Sequence, residues 1–335
     1  MSGLCLGTMT FDGAGGSWCV SKEEGRRIFD AFRSEGGNFV DTHTYGPTED
    51  YLGDYLSGDR DRVVLATKFG GTLAPEDVNA SGGHRKSLIR SVENSLRRLK
   101  TCYVDLLWLH AWDWLTPVDE LMRALDDLVR SGKVLYLGVA NVPAWAVAQA
   151  NTLADCRGWT SFCALQVEYS LIERDADREL IPMARGLEIG VTAWTPLASG
   201  WLTGKYLPSH DSGSCGQPRR LDDPIMARFL PRTDRNLAIA EEVCKIAAEI
   251  SCAPAHVALN WLRHRGAIPI FGATSVEQVN ENIACFDFEL SGEQVERLTA
   301  VSKIKLGFPH DFLSSGLVKR LMYGENSDLI DSHRG

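Results

Sequence analysis

Short apolar runs recur along the chain, and each is followed by a longer stretch in which apolar residues fall three or four apart. Eight of these runs read as strands, at 4–8, 39–42, 63–68, 104–110, 134–140, 164–169, 190–196 and 268–273. Several are apolar almost throughout, as expected of parallel strands covered on both faces rather than of a half-exposed antiparallel sheet. The segments between them carry helix punctuation. Ser21 with Glu24 has the pattern of a capping box, and Thr116-Pro117 with Asp119 offers a cap, a preorganised first turn and a first-turn acid. Ile89, Val92, Leu96 and Leu99 form one apolar stripe at helical spacing. Eight βα alternations close either as an open doubly wound sheet or as an α/β (β/α)8 TIM barrel. With eight units and no break in composition, the pattern predicts a barrel, a single domain over residues 1–305, followed by a C-terminal extension, 306–335, without a ninth strand. The Ser/Gly/Pro-rich stretch 209–218 is too short for a domain linker and reads as a long loop after the seventh strand.

Composition narrows the partners more than the fold. At 335 residues, 44% hydrophobic and 24% charged, the chain can bury a large core without disulfides or metal staples. A net charge of −9 and a pI near 5.4, without a Lys/Arg-dense run, argue against nucleic acid as a partner. The nine cysteines are odd in number and never spaced as metal ligands, so they read as reduced thiols, most of them small core residues, and no metal site is expected. No signal-peptide pattern opens the chain, and no apolar run approaches the ~20 residues of a membrane helix. The expectation is a soluble, cytoplasmic protein.

A barrel places its active site where the strands end at their C-terminal side. The second strand ends in Asp41, with His43 and Tyr45 just beyond, the third in Lys68 and the fourth in His110. Neighbouring strands lie about 4.8 Å apart and a buried lysine needs a carboxylate, so Lys68 and Asp41 are the natural pair. A cation close to a phenol stabilises the phenolate and makes Tyr45 a better proton donor. That suits reduction of a carbonyl, where hydride reaches carbon while a proton reaches oxygen, with His110 hydrogen-bonding the same oxygen. The glycine fingerprint of a Rossmann fold is missing. Residues 12–16 lack its third glycine and its helix, and read as a turn. Anion sites are better placed at 198–205, after the seventh strand, and at 272–275, opening a helix after the eighth.

Eight segments in order resemble the aldo-keto reductase superfamily, in the style of its aryl-alcohol dehydrogenase-like branch. They include Leu-Cys-Leu-Gly-Thr-Met-Thr-Phe (4–11), Gly-Asn-Phe-Val-Asp-Thr (37–42), Val-Leu-Ala-Thr-Lys (64–68), Tyr-Val-Asp-Leu-Leu-Trp-Leu-His (103–110), Leu-Gln-Val-Glu-Tyr-Ser (165–170) and Phe-Gly-Ala-Thr-Ser (271–275). The resemblance implies a barrel that uses NADPH without a Rossmann domain, NADH being the lesser alternative. It implies a catalytic tetrad of Asp41, Tyr45, Lys68 and His110, with Tyr45 as the acid. By the same resemblance Thr8, Asn141 and Gln166 contact the cofactor and Trp194 stacks on its nicotinamide. Thr195, Leu197, Ser199, Gly200 and Lys205 follow the pyrophosphate, and Gly272, Ala273, Thr274, Ser275, Gln278 and Asn282 surround the adenosine phosphate. Trp18, His43, Trp112 and Phe308 are candidates for the substrate pocket, and the segment 306–312 resembles a loop that closes over substrate.

Four departures from the resemblance bear on function. Asp41 and Tyr45 stand four apart, whereas relatives separate them by five, a loss that can displace the phenol by up to about 3.5 Å. Thr274 replaces an arginine that many members hold against the 2′-phosphate, Ala140 replaces a serine before Asn141, and the chain opens almost at the first strand, so a bottom hairpin is expected upstream. The first reading is thus an NADPH-dependent reductase of an aldehyde or ketone, with a small carbonyl compound as partner and an oligomeric state the residues leave open. The second is a cofactor-binding regulatory subunit with little or no turnover. A third, Schiff-base chemistry at Lys68, needs an unpaired amine, which Asp41 opposes.

Overall fold

The computed structural model describes residues 1–13, 18–72, 74–207 and 232–330. Eight parallel strands follow one another around a closed barrel in chain order: β1 (Cys5–Gly7), β2 (Phe39–Asp41), β3 (Val64–Phe69), β4 (Val104–Leu109), β5 (Val134–Ala140), β6 (Phe162–Glu168), β7 (Gly190–Trp194) and β8 (Ala267–Phe271). Helices α1 (Lys22–Ser34), α2 (Thr48–Tyr55), α3 (Arg85–Arg98), α4 (Val118–Arg130), α5 (Ala144–Arg157) and α6 (Leu180–Gly186) connect the first seven strands. Two helices, α7 (Asp234–Glu249) and α8 (Pro254–His264), precede β8. After it come α9 (Val276–Ile283) and α10 (Gly292–Val301), then the short α11 (His310–Leu313) and α12 (Gly316–Tyr323) of the extension. All eight predicted strands form.

Because side chains alternate along a strand, each strand serves two cores. One set, including Leu6, Val40, Leu65, Leu107, Val139, Leu165 and Phe271, packs outward against the helices. The other, Cys5, Phe39, Ala66, Leu106, Trp108 and Ile270, forms a separate cluster that fills the barrel. Along the inward face, apolar residues give way to polar ones toward the strand ends. Phe39 is followed by Asp41, Ala66 by Lys68, and Ala164 by Gln166 and Glu168. Register then sets the polar ends side by side, with Asp41 opposite Ala66, Lys68 opposite Trp108 and Gln166 opposite Ala140.

Several local expectations change. Ser21 caps α1 by accepting from the Glu24 amide at 3.2 Å, but Thr116 does not cap α4. Its amide and hydroxyl both donate to Asp113, an ionised acceptor three residues upstream, and Pro117 takes the cap position without a side-chain bond. The stripe of α3 runs through Leu88, Val92 and Leu96 to the capping Leu99, leaving Ile89 on its exposed edge, one position from the buried face. Among the described cysteines only Cys5 and Cys285 are buried, whereas Cys102, Cys156 and Cys163 are exposed. Residues 14–16, Cys215 and the loop 209–218 lie outside the described residues. The extension is tied back where it begins: Arg178 donates to the carbonyls of Lys305 and Leu306, and His310 pairs with Glu179 at 2.9 Å. No helix among the described residues is long and apolar enough to cross a membrane.

Candidate active site

At the C-terminal mouth Asp41 and Lys68 are each only 6% exposed. The Lys68 ammonium donates to the Asp41 carboxylate and, at 3.0 Å, to the Thr42 carbonyl. Gln166 Nε2 donates to the other carboxylate oxygen at 3.3 Å. Three strands thus meet in one polar cluster, and the lysine charge is compensated in place, as burial demands.

Two imidazoles flank the pair. His110 follows β4, its amide held by the Phe69 carbonyl. Burial, with the Lys68 charge acting in the same sense, pushes its ring down to about 4. His43 behaves alike: burial first, then Lys68, lower it to about 4, while the Asp41 charge partly opposes them. Both rings are therefore neutral near pH 7.

The turn between β2 and α2 is closed by side chains. His43 Nδ1 accepts the Tyr45 amide at 3.2 Å, and the Thr48 hydroxyl reaches the carbonyls of His43 and Tyr45. Glu49, in the first turn of α2, accepts from Thr67 at 2.6 Å and from Arg98, which anchors the turn to β3 and α3. The Tyr45 ring stands 5.8 Å from His43 and 5.8 Å from His110, between centroids, and is 45% exposed. Its hydroxyl leans over the loop after β3, so close to Gly71 that a Cβ there would meet the oxygen at 2.1 Å. Among the described residues that hydroxyl has no hydrogen-bond partner, and the two Lys68 bonds go to Asp41 and Thr42.

A family model described as the aldo/keto reductase family matches residues 3–303. The chain belongs to the aldo/keto reductase family. A norsolorinic acid reductase of Emericella nidulans is 34% identical across 93% of this chain and 81% of its own length. An aldo-keto reductase of Aspergillus calidoustus is 33% identical across 93% and 82%. A probable aryl-alcohol dehydrogenase of Saccharomyces cerevisiae is 32% identical across 88% and 92%. The protein is accordingly an oxidoreductase on the (β/α)8 barrel of the aldo-keto reductases.

The reductase gathers most of its remaining candidates along the ends of β5 to β8. Asn141 donates to the His110 carbonyl at 3.0 Å and accepts from Trp194 Nε1 at 3.3 Å, which ties the ends of β4, β5 and β7 together. Asn141, Thr195, Ala198 and Ser199 all hold positive φ. Such backbone costs of order 1–3 kcal/mol per residue and persists where the surroundings impose it. Leu197 and Ser199 lie in the same turn, and Gly200, at φ 94°, lets Lys205 fold over it, since a Cβ there would be 2.4 Å from the lysine Cε. After Gly272 and Ala273, Ser275 caps α9 through the Gln278 amide, while Thr274 donates to the Gln278 side chain. Asn282 donates to the Gln278 carbonyl, and its Oδ1 is buried without a partner among the described residues.

Other candidates stand apart. Thr8 is fully buried, its hydroxyl bonded to the Asp41 carbonyl, so it braces the strand. Trp112 packs edge-on against Trp145 at 6.1 Å, with Trp114 6.4 Å from the same ring. Trp18 is half-buried, and Phe308 is 85% exposed beside Phe312, projecting into solvent. Sequence reasoning passed over Trp145 and Glu168. Glu168 follows Gln166 at the strand period, its carboxyl raised by burial and by Glu173 and bonded to Thr195, and that period was the available signal.

Proposed function

We propose that this reductase converts an aldehyde or ketone to an alcohol with NADPH, Tyr45 giving the proton. The observation that carries the reading is the buried Asp41–Lys68 pair, joined by Gln166 and flanked by His110 and Tyr45, at one barrel mouth of an aldo/keto reductase. The family's general use of NAD(P)H fits residues present here. The buried, unpartnered Oδ1 of Asn282 is an acceptor for an adenine amino group, and the capped first turn of α9 and the Lys205 ammonium suit phosphates. Asn141, Gln166 and Trp194 supply amides and an aromatic face for the nicotinamide. When bound, the cofactor supplies the hydride.

This chain's own groups do the rest. Neutral His110 offers its ring to orient the carbonyl oxygen. As carbon gains the hydride, the oxygen takes the Tyr45 proton and becomes the alcohol hydroxyl. The resulting phenolate is steadied by the Lys68 ammonium, whose own charge Asp41 keeps in place. Tyr45 is exposed enough for solvent to reprotonate it. The tryptophans 112, 114 and 145 form an apolar wall at the rim that suits an aromatic or bulky substrate, and relatives carry the names norsolorinic acid reductase and aryl-alcohol dehydrogenase.

The test is NADPH oxidation with 4-nitrobenzaldehyde. Tyr45→Phe is expected to lower kcat by about 100-fold or more, and a variant as fast as the parent would overturn the assignment. One observation favours the second reading, a regulatory subunit: the Tyr45 hydroxyl rests against Gly71 instead of bonding Lys68. Tight cofactor binding with no turnover across a carbonyl panel decides for that reading.

A further inference from the structure

His43 sits inside the polar cluster, and one of its nitrogens has no partner. Nδ1 accepts the Tyr45 amide, so in the neutral ring the proton resides on Nε2, which makes that atom a donor. Nε2 is shielded from solvent and bonded to nothing among the described residues. A buried donor left unsatisfied costs about 1–3 kcal/mol, a cost that an arriving acceptor relieves. The groups facing the ring are Lys68, Asp41 and His110 across the mouth and Tyr45 beside it. Asp41 already accepts from Lys68 and Gln166, and no other described side chain accepts from Nε2, so an acceptor arriving from outside the chain fits there. The neighbouring Tyr45 ring is exposed, and no hydrogen bond among the described residues tethers its hydroxyl. Apo geometry at such sites commonly tightens only when substrate is bound.

We propose that His43 is a catalytic hydrogen-bond donor, its Nε2–H binding the reacting carbonyl oxygen once the untethered Tyr45 ring shifts to admit it. The inference rests on the carbonyl-reductase reading and adds to it a second imidazole on the oxygen that His110 orients. His43 gives up no proton: Tyr45 supplies the one that ends on the alcohol, and His43 steadies the negative charge that builds on oxygen beforehand. Neutrality near pH 7 suits that task, because a neutral imidazole donates without competing for the lysine's carboxylate.

Two substitutions separate this role from turn closure. His43→Asn keeps an acceptor for the Tyr45 amide and loses the distal donor, while His43→Gln keeps a donor near the Nε2 position and loses the turn bond. With 4-nitrobenzaldehyde and NADPH, His43→Asn is expected to lower kcat by about 100-fold with KM for NADPH unchanged, and His43→Gln to recover most of that loss. His43→Asn as active as the parent, or His43→Gln as impaired as His43→Asn, overturns the proposal. The parent protein gives an independent measurement. With nitrogen-15-labelled histidine and NADP+ present, adding the aldehyde should move the His43 Nε2–H resonance downfield and slow its exchange with water. A ternary complex that leaves this resonance unchanged while that of His110 moves refutes His43 and spares the reductase reading. Aldehyde that fails to bind at all refutes both.

Discussion

Burial and the Lys68 ammonium act together on His43 and His110, and the Asp41 carboxylate opposes them at each ring. Both are held near 4, below the ordinary histidine value of 6.5. The unfolded chain therefore takes up protons as pH drops through 6.5, while the folded protein resists until about 4. The stability these neutral rings contribute is fully present above pH 6.5 and is lost as pH falls toward 4, on the order of 3 kcal/mol per ring. Thermal unfolding recorded across that window should show Tm falling with acidity, and His110→Gln should flatten the slope. A slope unchanged in the variant contradicts the assignment. At this scale the sequence was partly readable. A lysine and an aspartate on adjacent strands, both on the inward period, had to pair, and they do. The place of the Tyr45 hydroxyl could not be read, because four residues of turn admit several conformations. The side chains of His43 and Thr48 select one of them.

Among the elements, β4 and β5 are fitted by a close approach. Trp108 fills the barrel interior, and a Cβ at Gly138 on the facing strand would lie 2.3 Å from its ring. Gly138→Ala is thus expected to cost about 1–3 kcal/mol through overpacking, read as a lower urea midpoint with an unchanged slope. A midpoint equal to the parent's shows that the tryptophan moves aside freely. The strands themselves were legible, since near-continuous apolar runs bounded by helix signals leave few alternatives. Helix starts were less so. Thr116 looks like a cap, yet the helix starts later, with Pro117 at the cap position and the Thr116 side chain bonded back to Asp113, and such a shift depends on position, which a residue type alone does not give.

At the scale of the whole molecule, the extension is joined to the barrel, among the described residues, chiefly where it starts. Arg178 and Glu179 hold residues 305–310, whereas α12 turns Leu317, Leu321 and Met322 outward and buries only Val318. Removing residues 316–335 is expected to shift Tm by no more than about 2–4 °C. A loss of cooperative unfolding in a thermal scan argues that the extension and the barrel are one unit.

The amino-acid order alone determined the barrel, its eight strands, the rim on which the candidate residues gather and the pairing of Asp41 with Lys68, because periodicity and the cost of burying charge act locally or between adjacent strands. Tertiary structure decided what depends on groups far apart in the chain. Gln166 joins Asp41 across 125 positions, His43 becomes a half-buried, neutral ring with its Nε2 shielded from solvent, and the Tyr45 hydroxyl comes to rest on Gly71. Such outcomes follow from which atoms crowd a shared volume, and that volume exists only once the barrel has closed.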